Sequence, residues 1–494
     1  IPGWIINSNA EFGQIKKVSE PHPRFRMAAF DSRERPNGES IWLYERNAMR
    51  NINKKVAFAV IAALTATVAP AVVAPSASAA TTINYWLWDD RQQPAYQACA
   101  DAFKAKTGIT VKITQSGWDD YWTAVKTSLS TGDGKIDVFT DHLAYYQSFL
   151  NAKQIVDISA GVKAAKVDTT QYQAGLYELW GKNGGQYGLP KDFDTIALAY
   201  DAGAAAKAGY PASRVNGLKW NPQDGGTFEK FLRSVTVDKN GNNALSKKFD
   251  ANNVATYGLS APDNGDAWGQ TYWAGLANSN GFQYLDKNPW GTKYFYDSPQ
   301  LAEVFAWIAK GIKAGFIMNP NKTGGLGTTE LWNAGKLVSS FKGSWEINDV
   351  LKVKGGGIKF AVQPGAANGS KSMFNGLADS INSKSKYQEE SLEWVLFLGS
   401  TACQDIVASK HVVFPAITTS TAKAFKAFKA AGVDIAGYTK VANPKSTFIP
   451  PMAANQAAVS AALKPYFEKI FQSQGDAQAL LTQANKAANA ALAG

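Results

Sequence analysis

Cysteine and histidine are scarce in this 494-residue chain, with two Cys and three His. Three histidines, none in a His-Glu-x-x-His spacing, exclude a His-built zinc site. A Gly-x-Ser-x-Gly elbow and a Walker-type phosphate loop are also missing. Gly355-Gly356-Gly357 follows Lys354 instead of leading a Lys-Ser/Thr pair, so it reads as a plain loop. Charge of one sign is not concentrated anywhere. The formal net charge of +11 falls to about +7 once residues 1–79 are set aside, and the remaining Lys and Arg are scattered. That argues against a nucleic-acid partner, which needs a basic stripe. Beyond residue 79 no run of apolar residues is long enough to span a bilayer.

What is present begins with a leader. Met49 opens a basic stretch with Arg50, Lys54 and Lys55; an Ala/Val-rich run follows over 56–73, then Ala77-Ser78-Ala79. Basic start, apolar middle and small-x-small end read as a secretory signal peptide over 49–79, cut before Ala80. A retained membrane anchor is the alternative, weakened by Thr65, Thr67, Pro70 and Pro75 within the run. Residues 1–48 mix charge, Pro and Gly without periodicity and are expected to be an upstream extension, with the true start at Met49. Cys99 and Cys403 then lie in an exported chain. They permit a disulfide, and two buried thiols remain the alternative.

About 415 residues follow the leader, too many for one ordinary core, so two domains are expected. Short apolar strands alternate with helical periods: strands at 83–88, 110–114 and 135–140, helices at 94–107, 118–130 and 144–152. Such alternation implies parallel pairing and an α/β fold. Tyr96, Cys99 and Phe103 share one helical face, and Gly108 stops that helix. Further helices are expected near 227–235, 267–281, 298–314 and 390–398, with strands at 196–200 and 336–342. Leu463, Phe467, Ile470 and Phe471, then Leu480, Leu481 and Ala484, mark two closing amphipathic helices. Asp238-Lys239-Asn240-Gly241-Asn242 has its Gly misplaced for a calcium loop and reads as a hairpin turn.

Aromatic residues beside carboxylates and amides are conspicuous at strand ends and loops. Thirteen of the 15 Trp lie beyond residue 79. The clusters are Tyr85-Trp86-Leu87-Trp88-Asp89-Asp90, Trp118-Asp119-Asp120-Tyr121-Trp122, Asp141-His142, Asp192-Phe193-Asp194, Trp268-Gly269-Gln270-Thr271-Tyr272-Trp273 and Trp345-Glu346. A pyranose presents an apolar C–H face to a ring and a rim of hydroxyls to carboxylates and amides, so this mixture suits a sugar. Many Trp belong to the core instead: Trp122, Trp307 and Trp394 fall on helix stripes. The paired carboxylates also leave open a glycosidase acid and nucleophile.

Ordered pieces of the chain resemble the extracellular sugar-binding proteins of ATP-binding-cassette (ABC) importers, the maltose-binding-protein-like group. They are the opening strand at 83–88, Tyr121-Trp122 through Gly132-Asp133-Gly134-Lys135-Ile136-Asp137-Val138-Phe139, Gly188-Leu189-Pro190-Lys191-Asp192-Phe193-Asp194-Thr195 with Leu198-Ala199-Tyr200-Asp201, Phe341-Lys342-Gly343-Ser344-Trp345, Phe374-Asn375-Gly376-Leu377, and the helix around Trp394. The resemblance implies a two-lobed periplasmic-binding-protein-like α/β fold of type II, each lobe a mixed sheet flanked by helices, joined by several hinge crossovers. Lobe 1 would comprise 80–192 plus 366–416, and lobe 2 residues 193–365 plus 417–494. It implies a ligand-binding cleft of Trp88, Asp89, Asp90, Trp118, Asp141, His142, Asp192, Trp268, Trp273, Trp345, Glu346, Asn375 and Gly376, with neither metal nor cofactor. The expected function is capture of an oligosaccharide by a secreted monomer and its delivery to a membrane ABC permease, with no chemistry performed. Two departures stand out: no lipid-bearing Cys occurs at position 80, and Asn375-Gly376 stands where many relatives carry Gly-Gly.

Overall fold

The computed structural model describes residues 81–262 and 267–494. The expected extension and signal peptide lie outside the described residues. Within them no helix is long and apolar enough to cross a membrane.

Two five-stranded mixed sheets organise the chain. β1 (Thr82–Leu87) pairs in parallel with β2 (Thr110–Gln115) and with β3 (Val138–Asp141). β4 (Leu189–Pro190) closes this sheet after a late strand has been inserted beside it. β5 (Asp192–Phe193) belongs to the crossover that follows, and β6 (Ile196–Asp201) enters the second sheet. That sheet also holds β7 (Val237–Asp238), β8 (Val254–Leu259), β9 (Leu337–Gly343) and β10 (Ile358–Ala361), in the order β10-β6-β9-β8-β7. The chain returns through β11 (Ser372–Met373) to β12 (Ala378–Ile381), which sits antiparallel between β3 and β4 to give the order β2-β1-β3-β12-β4. Helices bridge the parallel strands, as the strand–helix alternation requires.

Local chemistry explains the elements. The helix Gln93–Thr107 has a Pro in its first turn and ends at Gly108 (φ 79°), whose N–H bonds the Lys104 carbonyl. A missing Cβ makes that left-handed cap cheap. In β1, Ile83, Tyr85 and Leu87 are fully buried while Asn84 and Trp86 face the half-buried side, the period-two pattern of a strand with two unlike faces. The region expected as a helix over 267–281 is helical only over Ala274–Ser279, because Gly269 (φ 64°) turns the chain left-handed before it. Likewise 144–152 becomes Tyr146–Asn151, with a turn at His142–Tyr145 in front. Asp238 accepts from the Asn240 and Asn242 N–H groups as a turn carboxylate, and no group of residues able to hold a metal occurs among the described residues.

Cys99 and Cys403 are joined in a disulfide between the helices Gln93–Thr107 and Thr401–Ser409. The closing helices Gln456–Phe471 and Ala477–Ala493 pack on each other and on Pro299–Lys313, beside the second sheet's body. Helix Thr418–Ala430 packs against Thr401–Ser409.

Three crossing segments join the bodies built on the two sheets, here called the first and second lobes, and they are laced side by side. β5 pairs antiparallel with β13 (Phe414–Pro415). The Asp194 N–H donates to the Asn375 carbonyl, and the Lys191 N–H to the Leu377 carbonyl. β11 pairs with β14 (Thr447–Phe448). Short ladders of this kind can flex at few backbone positions while staying connected, the form a hinge takes.

Candidate functional site

A cavity of about 880 Å³ lies beyond the C-terminal ends of β1 and β3, between the lobes and against the crossovers. Open α/β sheets place ligands at that end because the loops there are free of pairing. The first lobe supplies its aromatic wall. Trp88 follows β1 and sits edge-on to Trp118, ring centroids 5.0 Å apart, and to Tyr121 at 5.2 Å. Trp118 opens the helix Trp118–Thr131 and is 41 % exposed, unusual for Trp and suited to a ring awaiting a partner. Tyr145 stacks on Trp122 at 3.9 Å. Across the cleft, Trp268 stacks on His142 at 5.3 Å, interplanar angle 24°.

Polar groups line the floor and mouth. Burial keeps the His142 imidazole neutral, its pKa lowered to about 3; its Nδ1 accepts from the Ala144 N–H and its Nε2 faces the Asn375 amide at 3.2 Å. Asp192 accepts from the Leu377 N–H through Oδ1, while its Oδ2 is buried without a partner. Desolvation raises its pKa to about 7, against the opposing pull of Lys191. Asp194 accepts from Gln270 Nε2 at 2.7 Å and from Asn375 Nδ2 at 3.3 Å. Its pKa is pushed well up, first by burial and then by the Asp192 charge. At the mouth Asp89 holds Arg91 through Nε (2.9 Å) and Nη2 (3.1 Å), and Arg91 reaches Asp349 of the second lobe. Buried atoms without a hydrogen-bond partner among the cavity residues are Asp192 Oδ2, Ser344 Oγ, Asn375 Oδ1 and Gln456 Nε2. Each such group costs about 1–3 kcal/mol while unmet.

Eight of the thirteen expected residues line this cavity: Trp88, Asp89, Trp118, His142, Asp192, Trp268, Trp345 and Asn375. Five do not. Asp90 is 78 % exposed in the loop after β1, its carboxylate 3.9 Å from Arg91 Nε, and does not line the cavity. Asp141 is fully buried behind the wall, accepting from the His142 N–H and from Ser380 Oγ, so it positions the His142 turn. Trp273 is core, packed on Phe282, Phe305 and Phe467. Glu346 caps its own turn through the Gly343 N–H, pairs with Lys342 at 2.7 Å, and faces a second cavity of about 490 Å³ that shares Thr271 and Trp345 with the first. Gly376 is a close-packing glycine at the return crossover: a Cβ there would meet Leu176 Cδ2 at 2.6 Å and the Asp192 carbonyl at 3.1 Å.

The site also holds residues outside the expected set. Asp194 carried a signal, since it lies two residues from Asp192 and so on the same face of an extended chain. Gln270 stands inside the Trp268–Trp273 cluster. Arg91 directly follows the Trp88-Asp89-Asp90 cluster and is held there by Asp89, whereas Gln456 and Lys464 carried no signal, because only the packing of distant helices brings them to the cleft.

The architecture defines an interlobe binding protein, and residues 98–432 match the family model described as bacterial extracellular solute-binding protein. The chain belongs to that family. Among solved structures it is similar to M. tuberculosis UspC (24 % identity over 83 % of this chain and 100 % of that one, TM-score 0.66). It is also similar to the ABC substrate-binding protein Lmo0181 from Listeria monocytogenes, solved in complex with cycloalternan (16 %, 83 % and 98 %, TM-score 0.69). A third is the cyclic α-maltosyl-1,6-maltose binding protein from Arthrobacter globiformis (15 %, 83 % and 99 %, TM-score 0.66). At these identities the likeness is one of fold. A comparison with curated proteins finds no match.

Proposed function

We propose that this protein captures a carbohydrate, an oligosaccharide, in the interlobe cavity and delivers it to a membrane ABC permease without acting on it chemically. The observation that carries the reading is the pairing of an aromatic wall with unmet buried polar atoms in one cavity. Trp88, Trp118, Trp268 and Trp345 offer ring faces or edges, while Asp192 Oδ2, Asn375 Oδ1, Ser344 Oγ and Gln456 Nε2 lack partners that hydroxyls would supply. A pyranose satisfies both demands at once. About 880 Å³ is ample for more than one sugar ring within the usual range of ligand pockets. The Listeria neighbour was solved in complex with cycloalternan and the Arthrobacter one is named for binding cyclic α-maltosyl-1,6-maltose, which supports the same class here.

Lobe 1 would comprise 80–192 plus 366–416 and lobe 2 the rest of the exported chain, closing on ligand by rotation at the laced crossovers. Closure is a population shift driven by contacts that both lobes make. Secretion as a monomer, through the leader at 49–79, completes the proposal. A glycosidase reading would need two free carboxylates flanking a bond, and Asp194 is instead occupied by two amide donors. The deciding experiment is calorimetry with a panel of oligosaccharides, followed by product analysis. Saturable binding with every glycan recovered intact is expected; cleavage that Asp192→Asn abolishes would overturn the transport reading.

A further inference from the structure

The cavity is chemically two-sided. Its crossover floor carries carboxylates, Asp192 and Asp194, whereas the second-lobe corner of Gln456, Ser460 and Lys464 carries none. That corner is the start of the 16-residue helix Gln456–Phe471, whose residues 456, 457, 460 and 464 face the cavity. Spacings of four place Gln456, Ser460 and Lys464 on one stripe.

Three observations there point to one ligand chemistry. First, the helix start has no side-chain cap: Asn455 donates its amide to the Leu492 carbonyl instead, 3.3 Å away. The first-turn N–H groups therefore keep their partial positive charge. Second, Gln456 is 2 % exposed and lines the cavity, yet its Nε2 has no partner. Tyr294 OH donates to its Oε1 at 2.5 Å, which leaves the NH₂ end as the unmet one. Third, Lys464 stands two turns along, its nearest carboxylate Glu468 at 3.9 Å. From the first lobe Lys126 lines the same cavity; it lies 4.6 Å from the Tyr145 ring centroid, with no ion pair within 4.0 Å among the described residues. Carboxylates elsewhere on the wall are Asp89, already neutralised by Arg91, and Asp119 in the first turn of Trp118–Thr131.

An unmet amide NH₂ and a lysine ammonium, with no carboxylate lining the corner, are complemented by a group that accepts only, and an uncapped helix start adds a field that favours negative charge. We propose that this corner receives the anionic substituent of an acidic saccharide, a carboxylate or an ester sulfate or phosphate, while the sugar's hydroxyls are held at the crossover floor. The proposal rests on the carbohydrate reading and narrows it to charged glycans.

Matched oligosaccharides test it: a neutral chain, the same chain with one uronate, and the same chain with one sulfate or phosphate ester, each titrated calorimetrically into the purified protein at low and high salt. At least one acidic form should bind about tenfold tighter than the neutral parent at low salt, with the advantage shrinking as salt rises. Which acidic form gains identifies the source of the charge. Lys464→Met should cut the advantage severalfold, and the salt series tests the same point on the unmodified protein. Equal affinities for neutral and acidic forms, or an advantage that salt does not change, would overturn this inference and leave the carbohydrate reading standing. Binding of no saccharide of any kind would overturn both.

Discussion

Asp192 should make the protein's stability depend on pH in a way that one substitution removes. Its carboxyl is buried at the crossover, accepts a single backbone N–H, and leaves Oδ2 unmet. Burial raises its pKa from 3.8 to about 7; Lys191 and the Leu377 N–H pull it down, and Asp379 and Asp89 push it up. Asp194 is a further titratable neighbour, itself pushed well up. The folded-state pKa lies above the unfolded one, so the folded chain binds the extra proton between these values. The associated stability is fully present below about 3.8 and is lost as pH rises through about 7. That interval, at about 1.4 kcal/mol per pH unit, sets a ceiling of about 4 kcal/mol. Asp192→Asn has no proton to lose. Urea unfolding followed by Trp fluorescence from pH 4.5 to 8.5 should therefore show the wild type losing stability relative to Asp192→Asn as pH rises. Asp141, raised to about 8 by burial, is common to both proteins and cancels. Parallel profiles would refute the assignment of a protonated Asp192 at the hinge.

Replacing Trp268 or Trp345 with Ala should weaken sugar binding about tenfold or more by removing a ring from the cavity, read by calorimetry; unchanged affinity would remove that residue from the site. Asp349→Asn should loosen closure, because Asp349 is the second-lobe end of the Arg91 link. Both side chains are partly exposed, so the effect is below about 1 kcal/mol, and X-ray scattering of the unliganded protein should show a small rise in radius of gyration. Replacing Cys99 and Cys403 together with Ser should cost about 2–4 kcal/mol, since the bridge spans 304 residues of sequence; an unchanged urea midpoint would argue against the bridge.

Much of the first lobe was legible because its signals are local. Pro94 and Gly108 bracket a helix, and alternation in β1 separates Tyr85 and Leu87 from Trp86. Aromatic–carboxylate clusters pointed to most of the cavity's first-lobe wall. They misplaced Trp273 and Asp141, which share the local composition of a site but face the core. Whether an aromatic at an element end meets solvent or another helix depends on what packs behind it. For Trp273 that is Phe305 and Phe467, the latter nearly two hundred residues away.

The sequence alone carried the α/β class and the strand and helix order of the first lobe. Each depends on periodicity or on neighbours a few residues apart. The disulfide, the lacing of three crossovers around Asp192 and Asn375, and the arrival of Gln456 and Lys464 at the cleft were decided only by the tertiary structure. Those contacts join residues far apart in the chain, and no local pattern encodes them, because they arise from how whole sheets and helices pack.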